Sequence, residues 1–225
     1  KLIIDTDAGF DVDDIHALAV AHNLEKQGRV DILATVTSTA YQYSIAGVNV
    51  INTYYGRGDI PLGAYKGPFG WEEHGQNTYL KDLVDNFPNG GIKTRDDVPD
   101  VLDTYVKVLN EAEDSSVTIA CIGFPMNIRN LLHYHHDLFE QKVKEVHYMN
   151  GMYNFGCAQA FYLGDVTDCY GAAQKVQIDF PHTVREYFQG NGSDMCTGGP
   201  FWDDSCGDDK NPMKRAPKDW RNQRH

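Results

Sequence analysis

Five aspartates fall within ten residues near the start of the chain: Asp5-Thr6-Asp7-Ala8-Gly9-Phe10-Asp11-Val12-Asp13-Asp14. A short apolar run, Leu2-Ile3-Ile4, precedes them, and a helix-like run, Ile15-His16-Ala17-Leu18-Ala19-Val20, follows. Carboxylates this close repel one another unless a cation or a very polar ligand compensates. Oxygen-rich clusters of this kind suit hard cations such as Ca²⁺ and Mg²⁺. The opening therefore has to fold as a strand, an acidic turn and a helix, with a cation site on the turn.

The rest of the first half alternates in the same way. Val12 to about Leu24 is apolar on more than one side, as a buried helix is. Asp31–Thr37 predicts the next strand, Ser44 a cap for a helix ending near Gly56, and Ile60–Gly63 a short strand. Residues 66–98 predict loops with one short helix around Tyr79–Val84. Asp100 opens an amphipathic helix carrying Val101, Leu102, Tyr105, Val106, Val108, Leu109 and Ala112. Val117–Ile122 predicts a buried strand, Met126–Leu132 a helix after Pro125, Val143–Met149 a strand, and Asp168–Val176 a helix. The pattern weakens after Val176. Alternation of this kind predicts an α/β fold, a mainly parallel sheet with helices on both faces. No repeat or linker interrupts it, so residues 1–225 read as a single domain. In such sheets ligands bind beyond the carboxyl ends of the strands. The loops after Ile4, Thr37, Ile122 and Met149 are then expected to meet at one crevice.

A formal charge of −12 argues against nucleic acid or an anionic membrane as the main partner. No apolar run approaches the roughly 20 residues of a membrane span. The terminal basic residues Lys214, Arg215, Lys218, Arg221 and Arg224 read as a solvated or frayed tail. His133, His135 and His136 gather near a helix end, where cationic groups favour the dipole. The spacings of Cys121, Cys157, Cys169, Cys196 and Cys206 match no zinc signature. Cys157–Cys169 and Cys196–Cys206 could each close a short disulfide loop, while Cys121 reads as a buried thiol. With the sequon Asn191-Gly192-Ser193 and a start at Lys1, these cysteines give the expectation of a secreted or extracellular glycoprotein, with the cytoplasm as the alternative.

Three readings of the acidic loop compete. An EF-hand counted from Asp5 needs a Glu at the twelfth position, which is His16, and is discarded. A haloacid-dehalogenase-like phosphatase also begins with a strand and Asp-x-Asp, and Asp203-Asp204 or Asp208-Asp209 could supply its late acidic pair. It leaves Asp11, Asp13 and Asp14 unexplained. The third reading explains them. The loop resembles that of the inosine-uridine-preferring nucleoside hydrolases, in a variant branch with Asp11-Val12-Asp13-Asp14 ahead of the helix. Gly123-Phe124-Pro125-Met126-Asn127-Ile128 resembles that family's Gly-Pro-Leu-Thr-Asn-Ile segment. Met149-Asn150-Gly151 resembles its Met-Gly-Gly, and Asn52–Gly56 with Asp59–Gly63 its second helix and next strand. The resemblance runs from Leu2 to about Trp220.

The resemblance implies a nucleoside-hydrolase-like, Rossmann-like fold and Ca²⁺-dependent hydrolysis of a nucleoside N-glycosidic bond. Asp7 would be the general base and a metal ligand. Asp14 and the Ile122 carbonyl would be further metal ligands. Asp13, Met149 through its backbone, and Asn154 would hold the sugar. Asp11 is read as a helix cap and Asp5 as a structural acid. The implied partner is a nucleoside or related ribosyl molecule, and a homo-oligomer is expected. Departures accompany the match. Ala160-Phe161-Tyr162 replaces a Glu-Phe-Asn ribose segment, and Tyr41 stands where a ribose-binding Asn is expected. Trp202-Asp203 comes too early for the late acidic ligand, which is expected beyond His225 in a longer chain. The alternative function is therefore a non-catalytic, secreted binding or structural protein on the same fold, with the phosphatase as a minor third.

Overall fold

Alternation of side chains along the first strand organises the molecule. In β1 (Leu2–Thr6), Ile3 faces one apolar core and Ile4 the other. Our structure, a computed structural model, describes residues 1–9, 11–67, 79–149, 184–187 and 210–223. The strand runs two residues past the expected Ile4, through Asp5 and Thr6, both fully buried. Polar groups are tolerated there because each has a partner: Asp5 is bonded by Tyr105 and Asn127, and Thr6 bonds Asp14.

The chain continues as α1 (Asp13–Lys26), β2 (Ile32–Thr37), α2 (Ser44–Tyr54), β3 (Leu62–Ala64) and α3 (Tyr79–Asn86). A one-turn 3₁₀ segment, Arg95–Asp97, leads to α4 (Val101–Glu111), β4 (Val117–Cys121), α5 (Met126–Tyr134), α6 (His136–Lys142) and β5 (Val143–Met149). The remaining described elements are β6 (Val184–Tyr187) and α7 (Pro212–Gln223). The strands form one parallel six-stranded sheet in the order β3-β2-β1-β4-β5-β6. Helices α1, α2, α3 and α7 pack together over the Ile4 face, and α4, α5 and α6 over the Ile3 face. The α/β architecture read from the sequence is the one observed. The strand order reverses between β1 and β4, so a crevice opens beyond their carboxyl ends.

Several local expectations need correction. Ser44 does not cap α2: Tyr43 holds the cap position without a side-chain bond, and the Ser44 hydroxyl donates to the Ala8 carbonyl at 2.6 Å. Asp100 does cap α4, accepting from the Leu102 amide at 2.9 Å. Of the basic tail, Lys214, Arg215, Lys218 and Arg221 fall within a helix, α7, whose Met213 and Ala216 are buried against α3 and whose Arg215 is bonded to Asp82, while Arg224 lies outside the described residues. Helix α6 and strand β6 were not anticipated. Cys121 is buried, as expected, while the other four cysteines and the helix expected at Asp168–Val176 lie outside the described residues. No described helix is long and apolar enough to cross a membrane.

Candidate metal centre

The acidic turn sits where β1 ends and α1 begins, beside the crevice. Thr6 is the last residue of β1, and its hydroxyl donates to the Asp14 carboxylate in the first turn of α1. That bond ties the two ends of the loop together. Asp13 is exposed and Asp14 is 3% exposed, so the pair spans the depth of the site from rim to floor. The N-terminus of α1 adds the positive end of its dipole beneath both carboxylates.

Three neighbouring elements hold the loop. Ser44 of α2 donates to the Ala8 carbonyl, and Tyr79 of α3 donates to the Asp11 carbonyl at 2.6 Å. Gly9 has φ +141°, and a Cβ there would lie 2.5 Å from Tyr41 Cδ2. Only glycine suits this position, by conformation and by space. On the other side, the turn after β4 closes on β1. The Ile122 amide donates to the Asp5 carbonyl at 2.8 Å, and a Cβ on Gly123 would come within 2.6 Å of the Asp7 amide nitrogen. Ser38, following β2, donates to the Thr6 carbonyl and accepts from the Phe124 amide at 2.9 Å. The ends of β1, β2 and β4 are thereby fastened to one another.

Asp11, Asp13 and Asp14 each present a carboxylate oxygen, all within 4.8 Å of one another. Among the described residues this is the single group of such donors that could hold a metal ion. The histidines at the α5–α6 junction form none. Asp11 is not a helix cap. Val12 holds that position without a side-chain bond, and the Asp11 carboxyl is hydrogen-bonded to Asp13. Burial, that bond and the charges of Asp13 and Asp7 push Asp11 up to about 8. Burial, then the Asp13 charge, pushes Asp7 up to about 7. Asp14 is driven well above the usual carboxylate range by burial and by Asp7 and Asp13, against the opposing hydroxyl of Thr6. The carboxyls resist carrying their charge together, which is the behaviour of a donor set completed by a cation. All the donors are oxygens, so a hard divalent cation fits them.

Asp5 lies apart. The strand alternation turns it to the opposite face, where it accepts from Tyr105 at 2.8 Å and from Asn127 at 3.0 and 3.1 Å. Burial raises it to about 7. Both carboxylate oxygens are hydrogen-bonded, as a structural acid's would be. Asp7 lies near enough to Asp13 and Asp14 for their charges to interact, but it is not one of the three clustered donors, and Ile122 is tied through its amide to Asp5 at the end of β1. Met149 ends β5, the neighbour of β4, on the same edge of the sheet. Asn154, Ala160, Phe161 and Tyr162 lie outside the described residues. Tyr41 is buried beside the loop, and its phenol is pushed up to about 12 by burial and by the charges of Asp7 and Asp11. Sequence reasoning missed Thr6, Ser44 and Tyr79 as supports. Nothing local marks Ser44 and Tyr79, which act on residues 36 and 68 positions away, whereas Thr6 acts within the loop itself, on Asp14 eight positions on.

No protein-family model and no curated protein matches the chain by sequence. Solved structures do match it. The type III effector protein XopQ, solved with adenosine diphosphate ribose, has a TM-score of 0.74 at 14% identity, over 99% of this chain and 65% of that one. The chain thus spans 65% of the length of that effector. The plant nucleoside hydrolase PpNRh1 has a TM-score of 0.64 at 18% identity, over 97% of this chain and 70% of that one. A purine-preferring ribonucleoside hydrolase from Gardnerella vaginalis has a TM-score of 0.66 at 12% identity, over 97% of this chain and 71% of that one. The chain has a nucleoside-hydrolase-like fold.

Proposed function

We propose that this chain hydrolyses the N-glycosidic bond of a nucleoside or related ribosyl compound, with Ca²⁺ as its cation. The observation that carries the reading is the set of mutually repelling carboxylates on the β1–α1 turn, beside the crevice where the strand order reverses. A bound calcium ion would supply the positive charge that lowers the pKa of the attacking water and holds sugar hydroxyls. Asp14, Asp11 and the Ile122 carbonyl would hold the cation, together with Asp7. Asp7 would take the proton of the water as its oxygen bonds to the anomeric carbon. The bond from that carbon to the base nitrogen breaks, its electron pair leaves with the base, and the sugar passes through an oxocarbenium-like state. Asp13, at the rim, would orient a sugar hydroxyl, with the Met149 backbone and Asn154 holding the rest of the ring.

A second reading keeps the cation and drops the reaction. Tyr41 occupies space beside Asp7 where a small polar side chain was expected to hold ribose. The protein would then bind a ribosyl ligand without cleaving it. A panel of nucleosides and ADP-ribose, assayed for released sugar with Ca²⁺ and with EDTA, separates the two. Calcium-dependent release supports the hydrolase. Ligand binding without release supports the binding protein, and release that persists in EDTA contradicts the proposed mechanism.

A further inference from the structure

The acidic loop leans on an element that is itself held by the far end of the chain. Tyr79 is the first residue of α3, its side chain is fully buried, and its phenol donates to the Asp11 carbonyl at 2.6 Å. The next residue, Leu80, lies under the loop, with Cδ1 only 3.2 Å from where a Gly9 Cβ would be. Within the same short helix, Asp82 accepts from Arg215 Nε and Nη2 at 2.8 Å each. Such a two-point bond fixes orientation as well as distance. Met213 and Ala216, on the same helix as Arg215, are buried in the core that also contains Leu80, Leu83 and Ile15 of α1. Helix α7 therefore seats α3, and α3 presents one hydroxyl to the backbone of the residue whose carboxylate joins the cluster.

We infer that Tyr79 is a positioning residue for the cation-holding loop, and that the C-terminal helix fixes it there through the Asp82–Arg215 pair. This rests on the cation site proposed above. The Asp11 carbonyl and carboxyl belong to one residue in a turn without regular structure. Anchoring its carbonyl restricts the directions its carboxylate can take. A purely structural role for Tyr79 would lower stability and leave the ion affinity of the folded protein alone. A positioning role lowers the affinity itself.

The test is calorimetric titration of Ca²⁺ into the metal-free full chain for wild type, Tyr79→Phe, Arg215→Gln and the double variant. The unfolding temperature of each metal-free protein is read alongside. Tyr79→Phe keeps the buried ring and removes one hydrogen bond, so its dissociation constant is expected to rise roughly three- to tenfold. Arg215→Gln is expected to move it the same way. The double variant is expected to fall short of the product of the two, because both act through α3. Unchanged affinity in Tyr79→Phe overturns the inference, and a fully multiplicative double variant overturns the role of α7. Should Tyr79→Phe not fold, Arg215→Gln decides alone, since its partly exposed pair lies outside the loop, and unchanged affinity there overturns the inference. Wild-type protein that binds no Ca²⁺ overturns the proposed function and this inference with it. Binding that the variants leave unaltered overturns this inference only.

Discussion

Asp7, Asp11 and Asp14 are costly residues to bury side by side, and their cost depends on pH. Asp7 and Asp11 are raised to about 7 and about 8, whereas an unfolded Asp titrates near 3.9. Between those values the folded chain binds more protons than the unfolded one. Stability must then fall as pH rises through the window, from about pH 4 to about pH 8. The unfolding temperature of the EDTA-treated protein is therefore expected to drop from pH 5 to pH 8, and Ca²⁺ to restore more of it at pH 8 than at pH 5. A flat profile would show that the carboxyls are not stressed. Asp7→Asn relieves one charge, so it is expected to raise the metal-free unfolding temperature at pH 8. As the proposed base, its loss is expected to cost roughly 10²- to 10⁴-fold in turnover, read from ribose release under saturating Ca²⁺.

At the scale of elements, the close approach of the β4 turn to β1 does most to shape the crevice. A Cβ at Gly123 would lie 2.6 Å from the Asp7 nitrogen and 2.7 Å from the Thr6 carbonyl carbon, both backbone atoms that cannot step aside. Gly123→Ala is expected to destabilise by about 1–3 kcal/mol in urea unfolding, as overpacking does. Asp100→Ala removes a cap remote from the site and is expected to cost about 1 kcal/mol with no change in Ca²⁺ affinity. The elements legible in the sequence are those whose own residues carry the signal. Ile3 and Ile4 mark β1, the apolar face of α4 marks that helix, and Asp100 marks its start. Helix α7 was illegible because its described buried face rests on Met213 and Ala216, and its anchor, Asp82, lies 133 positions away from Arg215. Helix α6 has seven residues and buries Phe139 alone, too little for a period to show. Asp11 and Ser44 were misread for a shared reason. Both residue types favour caps, and tertiary partners, Asp13 for one and the Ala8 carbonyl for the other, claimed their oxygens instead.

For the whole molecule, the parallel sheet, the order reversal at β1 and β4 and the fastening of three strand ends converge on one place. The acidic loop was legible as a site because charge crowding needs no knowledge of the fold. Its supports were not, since α2, α3 and the β4 turn reach it only once the chain has folded. A cation that binds the folded form alone stabilises it by mass action, about 2.7 kcal/mol at a concentration one hundred times its dissociation constant. The most direct test is to titrate Ca²⁺ calorimetrically into the metal-free wild-type protein and into Asp14→Asn. Asp14 is the carboxylate at the floor of the cluster, held by Thr6. The account predicts a single site in the wild type and an affinity weakened by about tenfold or more in the variant. No binding by the wild type, or equal binding by both, would contradict it.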